Sequence, residues 1–263
     1  MRKNVVLSIL VFFLFGCAMT PITMRRQLLL VPNDELVALS ATSYNEILQN
    51  STRASSTNDA QMVTRVGKRI AAAAEDFMRE NGMQDELKNY NWEFNLIEDK
   101  QVNAFCLPGG KIAVYTGILP ITQSETGLAV VVGHEVAHAI ANHGGERLSQ
   151  ELIVQLGANA LSDAYTKNPT KTKAALFQVY GIGSQVGVLL PYSRLQESEA
   201  DTIGLIVMAR AGYDPREAPR LWERMSILEK ERGLEFLSTH PAPNTRIEKI
   251  EQDLPQALEY YKS

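Results

Sequence analysis

The sequence predicts an α+β chain, mainly α, in which an active-site helix and a second ligand helix meet beside a small sheet. Three observations carry this. Apolar residues recur at helical spacing through most of the 263 residues. The stretch from Asn91 to Thr116 instead shows short alternating runs around Pro108-Gly109-Gly110. Two clusters of metal-binding residue types, His134-Glu135-Val136-Ala137-His138 and Glu197-Ser198-Glu199-Ala200-Asp201, both fall inside helical runs.

At 45% hydrophobic and 21% charged residues, the chain has the profile of a globular protein with a well-buried core. A formal charge of -4 with no basic stripe argues against nucleic acid as a partner. No internal repeat is visible, which argues against a solenoid.

The chain opens like an address. Arg2 and Lys3 precede an apolar run from Val5 to Phe15, and residues 1–16 read as a signal peptide. Leu14-Phe15-Gly16-Cys17 resembles a bacterial lipobox, although Phe15 stands where a small or β-branched residue is usual. Cys17 is thus the expected lipidation site, residues 17–32 a tether with Arg25 and Arg26 near lipid headgroups, and residues 33–263 a single domain. With Cys17 lipidated, Cys106 has no partner for a disulfide.

The elements follow in order. Asn33 to Leu48 suits an amphipathic helix capped by Asn33 or Asp34, and Ala60 to Glu80 a longer one stopped by Asn81-Gly82. Trp92, Phe94 and Leu96 alternate as a half-buried strand. Val102 to Phe105 and Lys111 to Thr116 are two more extended pieces joined by a tight turn. Asn103 and Ala104 are candidates for a strand edge that pairs with an extended peptide, or simply for two positions of an ordinary strand.

Leu128 to His143 is a helix whose apolar start and small Ala137 and Ala139 allow close packing, with Gly144-Gly145 placed to end it. On it His134 and His138 lie about 40° apart and one turn along, so both imidazoles reach one ion. Two histidines with an intervening glutamate form the arrangement in which Glu135 acts as general base on a zinc-bound water. His143 lies about 140° from His138 on a continuous helix. It reads as a helix-terminal residue facing the last carbonyls, not as a ligand.

Glu146 to Leu161 is another helix. Residues 174–190 read as buried or surface-covering helix and loop, or as a lid or bilayer contact. Tyr192 to Arg210 follows, where Glu197 and Asp201 share one face. Glu197 is the expected third metal ligand, and Asp201 the carboxylate that accepts the free N–H of a liganding histidine. Glu199 points away from both and is the poorer ligand. A helix after Asp214-Pro215 and a last one from Thr245 complete the chain, with His240 between them.

Taken together, Gly133 to His138, Pro191-Tyr192-Ser193-Arg194, Glu197 to Gly204 and Ser238-Thr239-His240-Pro241 resemble the gluzincin metallopeptidase family that includes HtpX, the CAAX prenyl endopeptidases and the periplasmic protease BepA. The similarity covers about residues 60 to 252. It implies a zincin-like fold and a zinc endopeptidase with one Zn2+ per chain on His134, His138 and Glu197. Glu135 and His240 are then the catalytic residues, His240 steadying the oxyanion or capping the zinc, with Tyr192 or Arg194 as lesser oxyanion candidates. Asn103-Ala104-Phe105 matches the substrate-side strand. Multiple membrane spans and a helical-repeat domain, found in the named members, have no counterpart after residue 16.

The resulting expectation is a small lipoprotein of the bacterial cell envelope, facing the periplasm and anchored by lipid to the outer membrane. It would hydrolyse misfolded or misassembled envelope proteins. The alternative is a chaperone or assembly factor for outer-membrane proteins with restrained proteolysis.

Overall fold

The computed structural model describes residues 17–21, 23–55, 57–156, 193–232, 236, 240 and 244–262. The expected signal peptide and the segment 174–190 lie outside these residues, as does Tyr192. The elements are β1 (Cys17–Met19), β2 (Arg26–Leu28), α1 (Asn33–Gln49), α2 (Asn58–Glu80), β3 (Glu93–Ile97), β4 (Ala104–Leu107), β5 (Lys111–Tyr115), a short α3 (Leu119–Thr122), α4 (Glu125–Ile140), α5 (His143–Leu156), α6 (Arg194–Arg210), α7 (Glu217–Arg232) and α8 (Asn244–Leu258).

Local chemistry accounts for most boundaries. The Thr57 side chain accepts from Ala60 N and starts α2, and Gly82 leaves it with a positive φ of 73°. The apolar stripe Val63, Val66, Ile70, Ala74 and Phe77 is buried. α1 begins at Asn33, but Pro32 occupies the cap position with no side-chain hydrogen bond, so neither Asn33 nor Asp34 caps it. Pro32 serves because its fixed φ suits a helix entry.

The sheet has the order β3-β5-β4. β3 runs parallel to β5, and β4 and β5 form an antiparallel hairpin with Leu107 opposite Lys111. Gly109 and Gly110, at φ 84° and 79°, make the turn. Strand β4 is thus an edge of this sheet, and α4 packs on it.

Two expectations about chain geometry fail. The helix of His134 does not run to Gly144-Gly145. It ends at Ile140, Ala141 caps it, and Asn142 takes a left-handed φ of 53° before α5 starts at His143. Asparagine reaches that region at small cost, so the break falls three residues early. Nor are residues 17–32 a plain tether. β1 and β2 pair antiparallel, Cys17 opposite Leu28, and β2 packs on α5. No helix among the described residues is long and apolar enough to cross a membrane.

Candidate metal centre

The site is made where α4 and α6 cross. Glycine permits the contact from both sides. A Cβ on Gly204 would lie 3.0 Å from the His134 backbone nitrogen, and one on Gly133 would lie 3.1 Å from the Gly204 carbonyl oxygen. With backbones this close, side chains within about two turns of the contact on each helix converge. Ser193 and Gln196 close a reciprocal capping box at the start of α6, which fixes Glu197 one residue further on.

Four side chains meet there: His134, His138, Glu197 and His240, each offering one ligand atom, with all four atoms within 4.8 Å of one another and every residue buried. His134 Nε2 and His138 Nε2 are 3.1 Å apart. His138 Nε2 is 3.3 Å from Glu197 Oε1, and His240 Nδ1 is 3.3 Å from His134 Nε2 and 3.1 Å from Glu197 Oε1. Tetrahedral zinc with bonds of about 2.0–2.1 Å sets its donors roughly 3.3 Å apart. The separations therefore match the edges of such a tetrahedron, and the imidazole and carboxylate donors suit zinc.

Electrostatics keep the donors in their binding forms. Burial pulls His134 below its ordinary pKa, helped by the nearby Arg246 guanidinium, and burial pulls His138 well below it. Both rings are therefore neutral. Burial pushes Glu197 up, but Arg246 and His240 more than offset this and hold it ionised, well below the usual range. Glu135 is different. Burial raises it to about 7, while His240, Arg246 and the Cys106 backbone oppose the rise. By the alternation of β4, that Cys106 N–H lies on the strand edge turned away from β5.

Each histidine is braced from behind. Asp201 Oδ1 lies 3.0 Å from His134 Nδ1, and His143 Nδ1 lies 2.9 Å from His138 Nδ1. His143 is therefore not turned to the last helix carbonyls. The left-handed Asn142 redirects the chain and points it back at His138, fully buried. Glu199 is not a donor to the four-residue group, but neither is it a solvated helix residue. It is buried and lies 3.0 Å from His143 Nε2.

Arg246, on α8, is a participant that sequence reasoning missed. Its Nε and Nη2 donate to both oxygens of Asp201 at 2.7 Å, and its Nη1 forms an ion pair 2.6 Å from Glu197 Oε2. Its plane stacks on Trp222, 3.5 Å from the ring centroid. The only signal was an arginine six residues after His240, and helical periodicity gives such a residue no special weight.

The other candidates are placed as follows. Ala104 opens β4 opposite Val114, and Asn103 precedes it with its Oδ1 accepting from the Ala104 N–H at 2.9 Å; both are buried. Arg194 is exposed at the start of α6 and lines a cavity of about 340 Å3 that reaches Glu197, Asp201 and Arg246. Cys106 is free and buried.

A family model described as Peptidase family M48 matches residues 59–254. The chain is 42% identical over 201 residues to the mitochondrial metalloendopeptidase OMA1 of Schizosaccharomyces pombe, covering 74% of this chain and 53% of the relative. It is 31% identical over 263 residues to the human mitochondrial metalloendopeptidase OMA1, covering 96% and 48%. The β-barrel assembly-enhancing protease of Yersinia pestis matches at 27% over 161 residues, covering 59% and 33%. The chain spans about half the length of the OMA1 relatives from S. pombe and human.

These similarities overturn the expected setting. A lipoprotein of the bacterial envelope that clears or assembles outer-membrane proteins would match the β-barrel enzyme best, yet mitochondrial metalloendopeptidases match with higher identity and over more of the chain. The lipobox-like ending at Cys17, four residues long, carries too little information to set the chain in a bacterial envelope.

Proposed function

Because the chain belongs to peptidase family M48, whose members are zinc-dependent metallopeptidases, we propose that it is an endopeptidase of the OMA1 kind, cutting polypeptide chains at a single zinc held by His134, His138 and Glu197. The observation that carries the reading is the buried set of donors at tetrahedral spacing with a carboxylate, Glu135, beside it. The reading sets the chain with the mitochondrial metalloendopeptidases and not with β-barrel assembly.

Zinc, when bound, lowers the pKa of water and polarises the peptide carbonyl. The chain's own groups do the rest. Glu135 receives the water's proton and delivers it to the leaving amine; burial suits it to both acts, because a carboxyl near 7 exchanges protons readily at neutral pH. His240 Nε2 is 3.4 Å from Glu135 Oε1, so this ring adjoins the base while its Nδ1 faces the donor set. It steadies the oxyanion once a peptide enters. The edge formed by Asn103 and by Ala104 at the start of β4 aligns the substrate in extended form, on the same strand as Cys106, whose backbone lowers the pKa of Glu135.

The test is cleavage of unfolded casein by the purified chain. Cleavage should stop on chelation and return with zinc, and Glu135→Gln should abolish it while zinc stays bound. Cleavage that persists in Glu135→Gln overturns the assignment.

A further inference from the structure

His134 and His138 are braced differently. Behind His134 stands a carboxylate, Asp201; behind His138 stands another imidazole. If His138 binds through Nε2, its Nδ1 carries hydrogen, so His143 must accept at Nδ1 and carry its own hydrogen on Nε2. That hydrogen faces Glu199 Oε2 at 3.0 Å. The orientation of His138 therefore ends on Glu199, and what holds Glu199 comes from far away in sequence.

Arg25, in the N-terminal hairpin, donates through Nε to both Glu199 oxygens at 3.1 Å and through Nη2 to Oε2 at 3.0 Å. Its two terminal nitrogens donate to the oxygens of Glu146 at 2.7 and 2.8 Å. Thr20 and Thr23 hydroxyls donate to Glu199 Oε1. The Gln196 amide donates to Glu146 at 2.7 Å, tying the cluster to the capping box of α6. All of these hairpin residues precede the region 59–254 that the family model matches.

We propose that the N-terminal hairpin is a working part of the metal centre: Arg25, with Thr20 and Thr23, fixes Glu199, which fixes His143, which sets the ring of His138 as a ligand. The proposal rests on the zinc site described above. Arg25 is a positioning residue. Without it two carboxylates that share one guanidinium face each other, Glu199 shifts, and the tautomer of His143 is no longer determined.

The experiment measures zinc affinity of the full chain by competition with a chromophoric chelator, alongside thermal unfolding of the metal-free protein. Arg25→Ala and Glu199→Gln should each weaken zinc binding about tenfold to a hundredfold. They should also shift the visible absorption of the cobalt-substituted protein. Arg25→Lys, which keeps the charge but lacks the fork, should recover part of the loss. In a His143→Leu background, Arg25→Ala should cost nothing more, because the relay is already cut.

Wild-type zinc affinity in Arg25→Ala and Glu199→Gln overturns the proposal, whether or not the metal-free protein melts lower. So do losses that simply add to that of His143→Leu. His134→Ala and Glu197→Gln are measured in parallel. If they too bind zinc normally, the fault lies in the metal site itself and not in the hairpin.

Discussion

Asp201 and Arg246 show how much a metal site depends on residues that do not touch the ion. Burial pushes Asp201 up, but Arg246 and His134 more than offset it, so the carboxylate stays ionised and can accept the His134 N–H. Asp201→Ala should weaken zinc binding about tenfold to a hundredfold, read by chelator competition. Arg246 is buried against Glu197, Asp201 and the Trp222 ring, and the two carboxylates hold its pKa above the ordinary value despite the burial. Arg246→Met leaves two buried carboxylates facing each other without a cation, and should cost about 3–5 kcal/mol in denaturant unfolding of the metal-free protein. An unchanged unfolding midpoint would mean that the carboxylates find other partners.

At the scale of elements, the crossing of α4 and α6 determines whether the donors meet. Both glycines at the contact are in ordinary helical conformation, so their value is the missing side chain. Gly204→Ala puts a methyl group 3.0 Å from His134 N and 3.1 Å from Gly133 C, both backbone atoms that cannot yield as a side chain would. It should cost about 1–3 kcal/mol by overpacking and carry Glu197 out of reach of the histidines, read as lost zinc stoichiometry. Ser193→Ala removes the hydroxyl that caps α6 and should cost roughly 1 kcal/mol, with a smaller effect on zinc because the helix itself remains.

For the whole molecule, the three ligands come from two separated helices, His134 and His138 from α4 and Glu197 from α6, faced by His240 from before α8. A cation that joins them binds the folded chain alone, so its affinity adds to stability. At a free zinc concentration a thousandfold above the dissociation constant, the gain is about 4 kcal/mol. Chelation should therefore lower the melting temperature by about 10 °C for a chain of this size. An unchanged melting temperature would mean that the donors do not share an ion. The same dependence joins the N-terminal hairpin to the site, since Arg25 reaches α5 and α6 at once.

The sequence by itself pointed to the long helices, though not to all of their ends, to the small hairpin sheet and to the pairing of His134 with His138, because these rest on periodicity and on spacing within one element. It also pointed to Glu197 and Asp201, whose four-residue interval is again local. What it could not determine was anything that two elements decide together. Arg246, Arg25 and Glu199 are ordinary charged residues along the chain, and they become parts of the site only because α8, the N-terminal hairpin and α6 pack against α4 and α5. His143 changed role for the same reason: extrapolating one straight helix turned it away from His138, while the left-handed turn at Asn142, which periodicity does not encode, turned it back. Local interactions follow from the order of residues, but a buried charge finds its partner only when the chain has closed around it.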